Sequence, residues 1–248
     1  MRLSPRSPVV ACLAVVALMV GEATAASAAT VAPTTVVFSG SSWAVKTSTG
    51  PVGPGPNVFS DSPQNVWVDA SGQLHLRITH RDGQWQSAEV VLDHSLGYGT
   101  YRFDLASSIG GLDPNVVLGL FTWSDDPAYH HREIDIEAAR WGATAADNAQ
   151  YVVQPSSTAG NLRRFVQPDV APTSHAFTWT QKSVSFRSAS ASDATIASWT
   201  YTGRSVPRAG TERTRVNLWL AGGVPPTNGG EVEVVLSAFS FTPPATAR

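Results

Sequence analysis

Glu133-Ile134-Asp135-Ile136-Glu137 alternates an acid with a β-branched residue along its whole length. A β-strand turns successive side chains to opposite faces. Ile134 and Ile136 therefore share one face, where they favour a strand and fit a core. Glu133, Asp135 and Glu137 share the other. Crowded carboxylates destabilise one another, because ionising one raises the pKa of the next. Three aligned acids on a strand that otherwise looks buried point to use, although a solvated acidic face has the same spacing.

The chemistry that fits this spacing is cleavage of a sugar–sugar bond. It needs two carboxyl groups flanking the bond, one a nucleophile and the other an acid/base. The Cα atoms of Glu133 and Glu137 are expected roughly 13 Å apart, four rises of about 3.3 Å. Side chains leaning together can narrow this to the roughly 5–5.5 Å of a retaining pair. Asp135, between them, is placed to share a proton with one neighbour and keep the two pKa values apart.

Composition bounds the rest. The chain has 248 residues, of which 42% are hydrophobic and only 15% charged, with a formal net charge of -2. That balance excludes a nucleic-acid partner held by charge and supports a substantial core. Residues 1–29 read as a secretory signal. Arg2 and Arg6 precede an apolar run from Val9 to Val20, and small-residue cleavage sites follow at Ala23-Thr24-Ala25 and Ala26-Ser27-Ala28. The run is too short for a comfortable membrane span. A secreted, extracellular and monomeric protein with no membrane anchor after cleavage is the expectation. Cleavage would remove Arg2, Arg6 and Glu22, leaving 15 basic and 18 acidic residues and a net charge of -3. It would also remove Cys12, the only cysteine, so neither a disulfide nor a thiolate metal site is expected in the mature protein.

From residue 36 onward, short apolar runs alternate with Gly, Pro, Asn, Asp and Ser clusters, and apolar residues at helical spacing are absent. Twelve strands are expected: 66–68, 73–79, 88–92, 100–106, 116–123, 132–138, 149–154, 175–179, 183–187, 196–201, 215–220 and 231–241. Many short strands with frequent turns mean an all-β sandwich or jelly roll. Residues 30–35 are expected to be flexible, 36–243 to form one domain, and 244–248 to fray. Asp69-Ala70-Ser71-Gly72 suits a hairpin loop. Gly97-Tyr98-Gly99 suits a close backbone approach.

Several strands pair an apolar face with a ligand-like one. Gln150 and Gln154 share a face, as do Asn217 and Trp219, and Phe121 and Trp123. Amides hydrogen-bond sugar hydroxyls, and indole faces stack on pyranose rings, as a polysaccharide groove requires. Trp43, Trp67, Trp179 and Trp199 are placed in the core or at its edge. Adjacent His130 and His131 would point to opposite faces of a strand, which argues against a shared metal.

At these residues the sequence resembles glycoside hydrolase family 16, in its lichenase branch, whose acidic strand has no bulge. Leu120-Phe121-Thr122-Trp123 followed by Glu133-Ile134-Asp135-Ile136-Glu137 is similar to the family's catalytic block. Ser87-Ala88-Glu89-Val90 with Gly97-Tyr98-Gly99-Thr100-Tyr101, then Ala149-Gln150-Tyr151, Ser174 to Trp179, and Asn217-Leu218-Trp219 match other motifs in order. The resemblance implies a concanavalin A-like β-jelly roll with an open concave cleft, acting as a retaining endo-glycosidase on a β-linked polysaccharide, β-glucan first. It implies Glu133 as nucleophile, Asp135 as its hydrogen-bonded partner and Glu137 as acid/base. It implies Asn57, Glu89, Trp123, Gln150, Asn217 and Trp219 at sugar subsites, to which Gln154 and Trp141 are added as further substrate-binding candidates. A transglycosylase on the same residues, or a non-catalytic carbohydrate-binding domain, are the alternatives.

The departures lie in the subsite walls. Val91 stands where the branch carries arginine, His131 where it carries tryptophan two residues before the nucleophile, and Arg132 directly before it. Ala138-Ala139-Arg140-Trp141-Gly142 replaces the segment usual after the catalytic strand. No cofactor is required by this chemistry. The family's structural calcium lacks its aspartate near the C-terminus here, so metal ligands are left unassigned.

Overall fold

The computed structural model describes residues 33–144 and 147–245. The expected signal segment, residues 30–32 and the last three residues of the tail lie outside them. Sixteen strands follow one another with no α-helix among the described residues. They are β1 (Thr35–Phe38), β2 (Ser41–Val45), β3 (Val58–Phe59), β4 (Val66–Val68), β5 (Leu74–Arg81), β6 (Gln84–Leu92), β7 (Gly99–Leu105) and β8 (Val116–Trp123). Then come β9 (Ile134–Ala138), β10 (Ala149–Val153), β11 (Leu162–Phe165), β12 (Thr173–Trp179), β13 (Val184–Ser190), β14 (Thr195–Tyr201), β15 (Arg213–Leu220) and β16 (Val232–Thr242).

Hydrogen bonding runs in the order β11-β10-β9-β8-β15-β6-β5-β16-β7-β12-β13-β14. The path folds over at the β5–β6 hairpin. The first half of β5 pairs with β16 and its last residues with the start of β6, whose second half pairs with β15 and β2. One layer is therefore β11-β10-β9-β8-β15-β6 and the other β5-β16-β7-β12-β13-β14. The period-two patterns explain what lies between them. Leu118, Leu120, Ile134, Ile136, Tyr151, Val216 and Leu218 of the first layer meet Leu76, Ile78, Phe103, Phe177, Phe186 and Val234 of the second in one buried core. On the far side of the second layer, Arg102, Thr178 and Thr200 are exposed, the ordinary polar alternation.

The first layer is different. Every residue of β8 but Trp123 is buried, and so is every residue of β10. Both faces of these strands are covered, so the layer's second face lines a recess instead of facing open water. This is the face of Glu133, Asp135 and Glu137.

Two expectations on local structure are met with their physical reasons. The turn after β4 is closed by Asp69, whose Oδ1 accepts from the backbone N–H of Ser71 at 2.9 Å and of Gln73 at 2.8 Å. At Gly99 a Cβ would come within 2.4 Å of the Phe241 ring, so the residue must be glycine for β7 to pass β16. Four strands, β1, β2, β3 and β11, escape the sequence reading. Arg163 and Arg164 hide β11, and β3 is too short to show a period. The expected strand 132–138 begins later, at Ile134. His130–Arg132 forms a tight left-handed turn, so the two histidines are not on a strand at all.

Candidate active site

The acidic strand β9 lies between β8 and β10 in unbroken antiparallel register, with no bulge. Glu133 precedes β9 but is already extended, and its carbonyl accepts from Gln154 N–H at 3.2 Å, so the alternation holds through it. The register sets side chains of neighbouring strands into rows. Gln150, Glu137, Gly119, Asn217 and Glu89 stand abreast on five adjacent strands. The next row holds Val152, Asp135, Phe121, Arg215 and Val91. Gly119 leaves the floor open beside Glu137: a Cβ there would lie 2.5 Å from Asn217 Oδ1.

The β9, β8 and β15 members of these rows, with Glu89, floor a cavity of about 320 Å³. Its wall contains Glu133, Asp135, Glu137, Glu89, Trp123, Asn217 and Trp219, together with Lys46, Gly53, Pro54, Gly119, Phe121 and Arg215. Apolar rings and carboxyl groups thus share one recess, with amide and guanidinium groups between them.

The structure brings most of the expected residues together and separates one. Gln154 Nε2 donates to Asp135 Oδ2 at 3.2 Å, and Gln150 Nε2 donates to Glu137 Oε2 at 2.6 Å. Both amides thus hold the acids and lie outside the cavity wall. Trp141 is half open to solvent, meets Trp219 edge-on at a centroid distance of 5.8 Å, and donates from Nε1 to Gln150 Oε1 at 3.3 Å. Trp219 is only 8% exposed and packs on Phe59, Val117 and Ala139 in a small cluster apart from the main core. Asn57 is a correction. Its Nδ2 donates to the carbonyls of Pro54 and Leu220, and its Oδ1 accepts from Ser87 Oγ and Leu220 N–H. That amide ties the 50–56 loop to the end of β15 and has nothing left to offer a sugar.

Glu89 is buried between two cations. Lys46 Nζ and Arg215 Nη1 each donate to it at 3.0 Å. Arg215 is the cross-strand partner of Val91. A guanidinium therefore reaches the site from β15 at the level where the sequence lacks the expected arginine on β6. Three site residues escape the sequence reading. Arg215 shares the period-two face of Asn217 and Trp219, so the signal was there. Lys46 is one of only two lysines in the chain. Arg164 carries no signal, because β11 does not read as a strand.

Burial raises all three acids. Burial pushes Glu133 up to about 7, helped by the charge of Glu137 and opposed by Asp135 and Arg215. Burial likewise pushes Glu137 up to about 7, opposed by the Gln150 amide and the Arg164 charge. Asp135 is raised well above its usual value by burial and by both glutamates. The hydrogen bond between Asp135 and Glu133 raises the one and lowers the other, so Asp135 is the donor of that pair. Among the described residues no cluster of three or more His, Cys, Asp or Glu is arranged to hold a metal ion. No described helix is long and apolar enough to cross a membrane.

No family model matches the sequence. No curated protein matches it either. Solved structures do. A β-glucanase of Bacillus licheniformis superposes with a TM-score of 0.62 at 16% identity, over 86% of this chain and 99% of that one. A non-specific endo-beta-1,3(4)-glucanase from family GH16 gives 0.59 at 12% identity, over 80% and 83%. An immunostimulatory antigen and pseudo beta-1,3-glucanase of Mycobacterium tuberculosis gives 0.58 at 22% identity, over 79% and 88%. The chain has the jelly-roll fold of these glucanases, and the all-β fold class expected from its strand pattern is the one observed.

Proposed function

We propose that this chain is a glycoside hydrolase of the family 16 type that cleaves a β-linked polysaccharide, β-glucan first, with retention at the anomeric carbon. The observation that supports it is the row Glu133, Asp135, Glu137 on one unbulged strand, at the floor of a recess walled by Phe121, Trp123 and Trp219. Asn217 Oδ1 and Arg215 Nε are buried there without a hydrogen-bond partner among the described residues, an acceptor and a donor suited to sugar hydroxyls.

The roles follow from the environments. Glu133 is assigned as the ionised member of the pair, because the Asp135 carboxyl donates to it and stabilises its charge. It attacks the anomeric carbon. Glu137 is protonated at this stage, held so by burial, and gives its proton to the leaving oxygen. Having given up that proton, Glu137 is a carboxylate, and with the Glu133 charge lost to the ester it stays ionised and can take a proton from the incoming water. Two displacements give net retention. The leader-like N-terminus supports action outside the cell.

The test incubates the protein with β-glucan, laminarin and xyloglucan, counts reducing ends and follows the first product by proton NMR. An initial β-anomer from a β-linked substrate is expected. An initial α-anomer overturns both roles. Binding without new reducing ends means a carbohydrate-binding domain. Products longer than the substrate mean a transglycosylase.

A further inference from the structure

Arg164, on the outermost strand of the catalytic layer, is aligned with Gln150 on β10 and, through it, with Glu137 on β9. Its Nη1 donates to Gln150 Oε1 at 2.9 Å, and its Nη2 donates to Ala139 O at 3.0 Å and also to Asp147 O. Trp141 Nε1 donates to the same Gln150 oxygen at 3.3 Å. Guanidinium and indole N–H groups can only donate. With both aimed at Oε1, the amide of Gln150 has one orientation left, with its NH₂ turned to Glu137 Oε2 at 2.6 Å.

We propose that Arg164 and Trp141 are positioning residues for Glu137: by occupying Gln150 Oε1 they lock the amide as a donor, which confines the transferable proton of Glu137 to Oε1. This rests on the reading of Glu137 as the acid/base. Were the amide to turn over, its carbonyl would face Oε2 and draw the proton there, away from the bond to be cleaved. The locked donor also favours the carboxylate, against the burial that favours the acid. The other charged groups near Glu137 are Glu133 and Asp135 on its own strand. On the β8 and β15 side, uncharged Gly119 and Asn217 separate it from Glu89.

The experiment is a double-mutant cycle read by carboxyl carbon-13 NMR of the glutamate-labelled protein, with the Glu137 signal assigned by its loss in Glu137→Gln. Arg164→Met should raise the titration midpoint of Glu137 by about one pH unit, a tenfold change in its protonation equilibrium. In a Gln150→Leu background the same change should have a clearly smaller effect, because only the direct charge of Arg164 is then lost and the route through the amide is already gone. Trp141→Phe removes a neutral donor from a half-exposed residue and should move the midpoint the same way by less. An Arg164→Met effect of equal size in both backgrounds means that the arginine acts by charge alone and overturns the proposal. So does an unchanged midpoint in both Arg164→Met and Trp141→Phe. Release of reducing ends from β-glucan by the unaltered protein is measured separately. Its absence together with the expected cycle overturns the hydrolase reading and leaves the positioning of Glu137 standing.

Discussion

At the scale of single residues, the site is built from carboxyl groups whose surroundings differ although their chemistry is alike. Asp135 is the clearest case. It is buried at 3% exposure, receives a hydrogen bond from Gln154 and lies in the cavity wall between two glutamates, with Glu133 as its partner. Asp135→Asn keeps the volume and a donor toward Glu133 but removes the titrating group. Turnover should fall on the order of a hundredfold, the lower end of what acid–base positioning contributes, with KM nearly unchanged. Steady-state kinetics on the best substrate checks this, and a normal kcat removes Asp135 from the mechanism. Trp219 has two duties, because it lines the cavity and is also packed on Phe59, Val117 and Ala139. Trp219→Ala should therefore cost roughly 3–5 kcal/mol as well as binding. Trp219→Phe should keep most of the melting temperature while weakening oligosaccharide binding measured by calorimetry.

At the scale of elements, the least ordinary piece is the turn that delivers Glu133. Tyr129, His130, His131 and Arg132 all have positive φ, between 51° and 63°, forming a left-handed turn without a glycine. Each such residue costs about 1–2 kcal/mol. Arg132 holds the turn by donating to Arg208 O at 3.0 Å and Asp126 Oδ2 at 2.8 Å. His131 holds it by stacking on Trp123 at 4.1 Å and by its Nδ1 contact of 2.9 Å with Ser124 O. His130 is exposed, with no side-chain hydrogen bond among the described residues, so only the penalty remains at that position. His130→Gly should stabilise the protein by about 0.5–1 kcal/mol, raising Tm by roughly 1–4 °C. A lower Tm in differential scanning calorimetry would mean that His130 contributes a contact worth more than its strain.

At the scale of the whole molecule, the acids load the fold. Glu133 and Glu137 are each raised from 4.5 to about 7 by burial in the first place. Below 4.5 each is neutral whether the chain is folded or not, and no penalty exists. Between 4.5 and 7 the unfolded chain loses the protons that the folded chain keeps, so stability falls as pH rises, and above 7 the loss is complete. For one such group the loss is roughly 3 kcal/mol. Glu137→Gln should therefore raise Tm by several degrees at pH 8 and by little at pH 4, while abolishing turnover on unactivated polysaccharide. A Tm gain of equal size at both pH values would show that the gain does not come from titration. With both glutamates near 7, kcat/KM should follow a narrow bell centred near neutral pH.

What the sequence determined by itself is what a period of two carries. Alternation placed Glu133, Asp135 and Glu137 on one face and Ile134 and Ile136 in the core, and the same alternation gave β8, β10 and β15 their inner and outer sides. Asp69 and Gly99 were legible because turns and close approaches have their own residue chemistry. Tertiary structure decided everything that depends on which strands are neighbours. Register alone sets Arg215 opposite Val91 and Arg164 beside Gln150, residues far apart in the chain whose partners no local pattern names. It also decided that Asn57 spends its amide on loop carbonyls and that Trp219 is packed as well as exposed to the cavity. The physical reason is that a face is a local property of the backbone, whereas a hydrogen-bond partner, a buried charge and a raised pKa are properties of the neighbours the fold supplies.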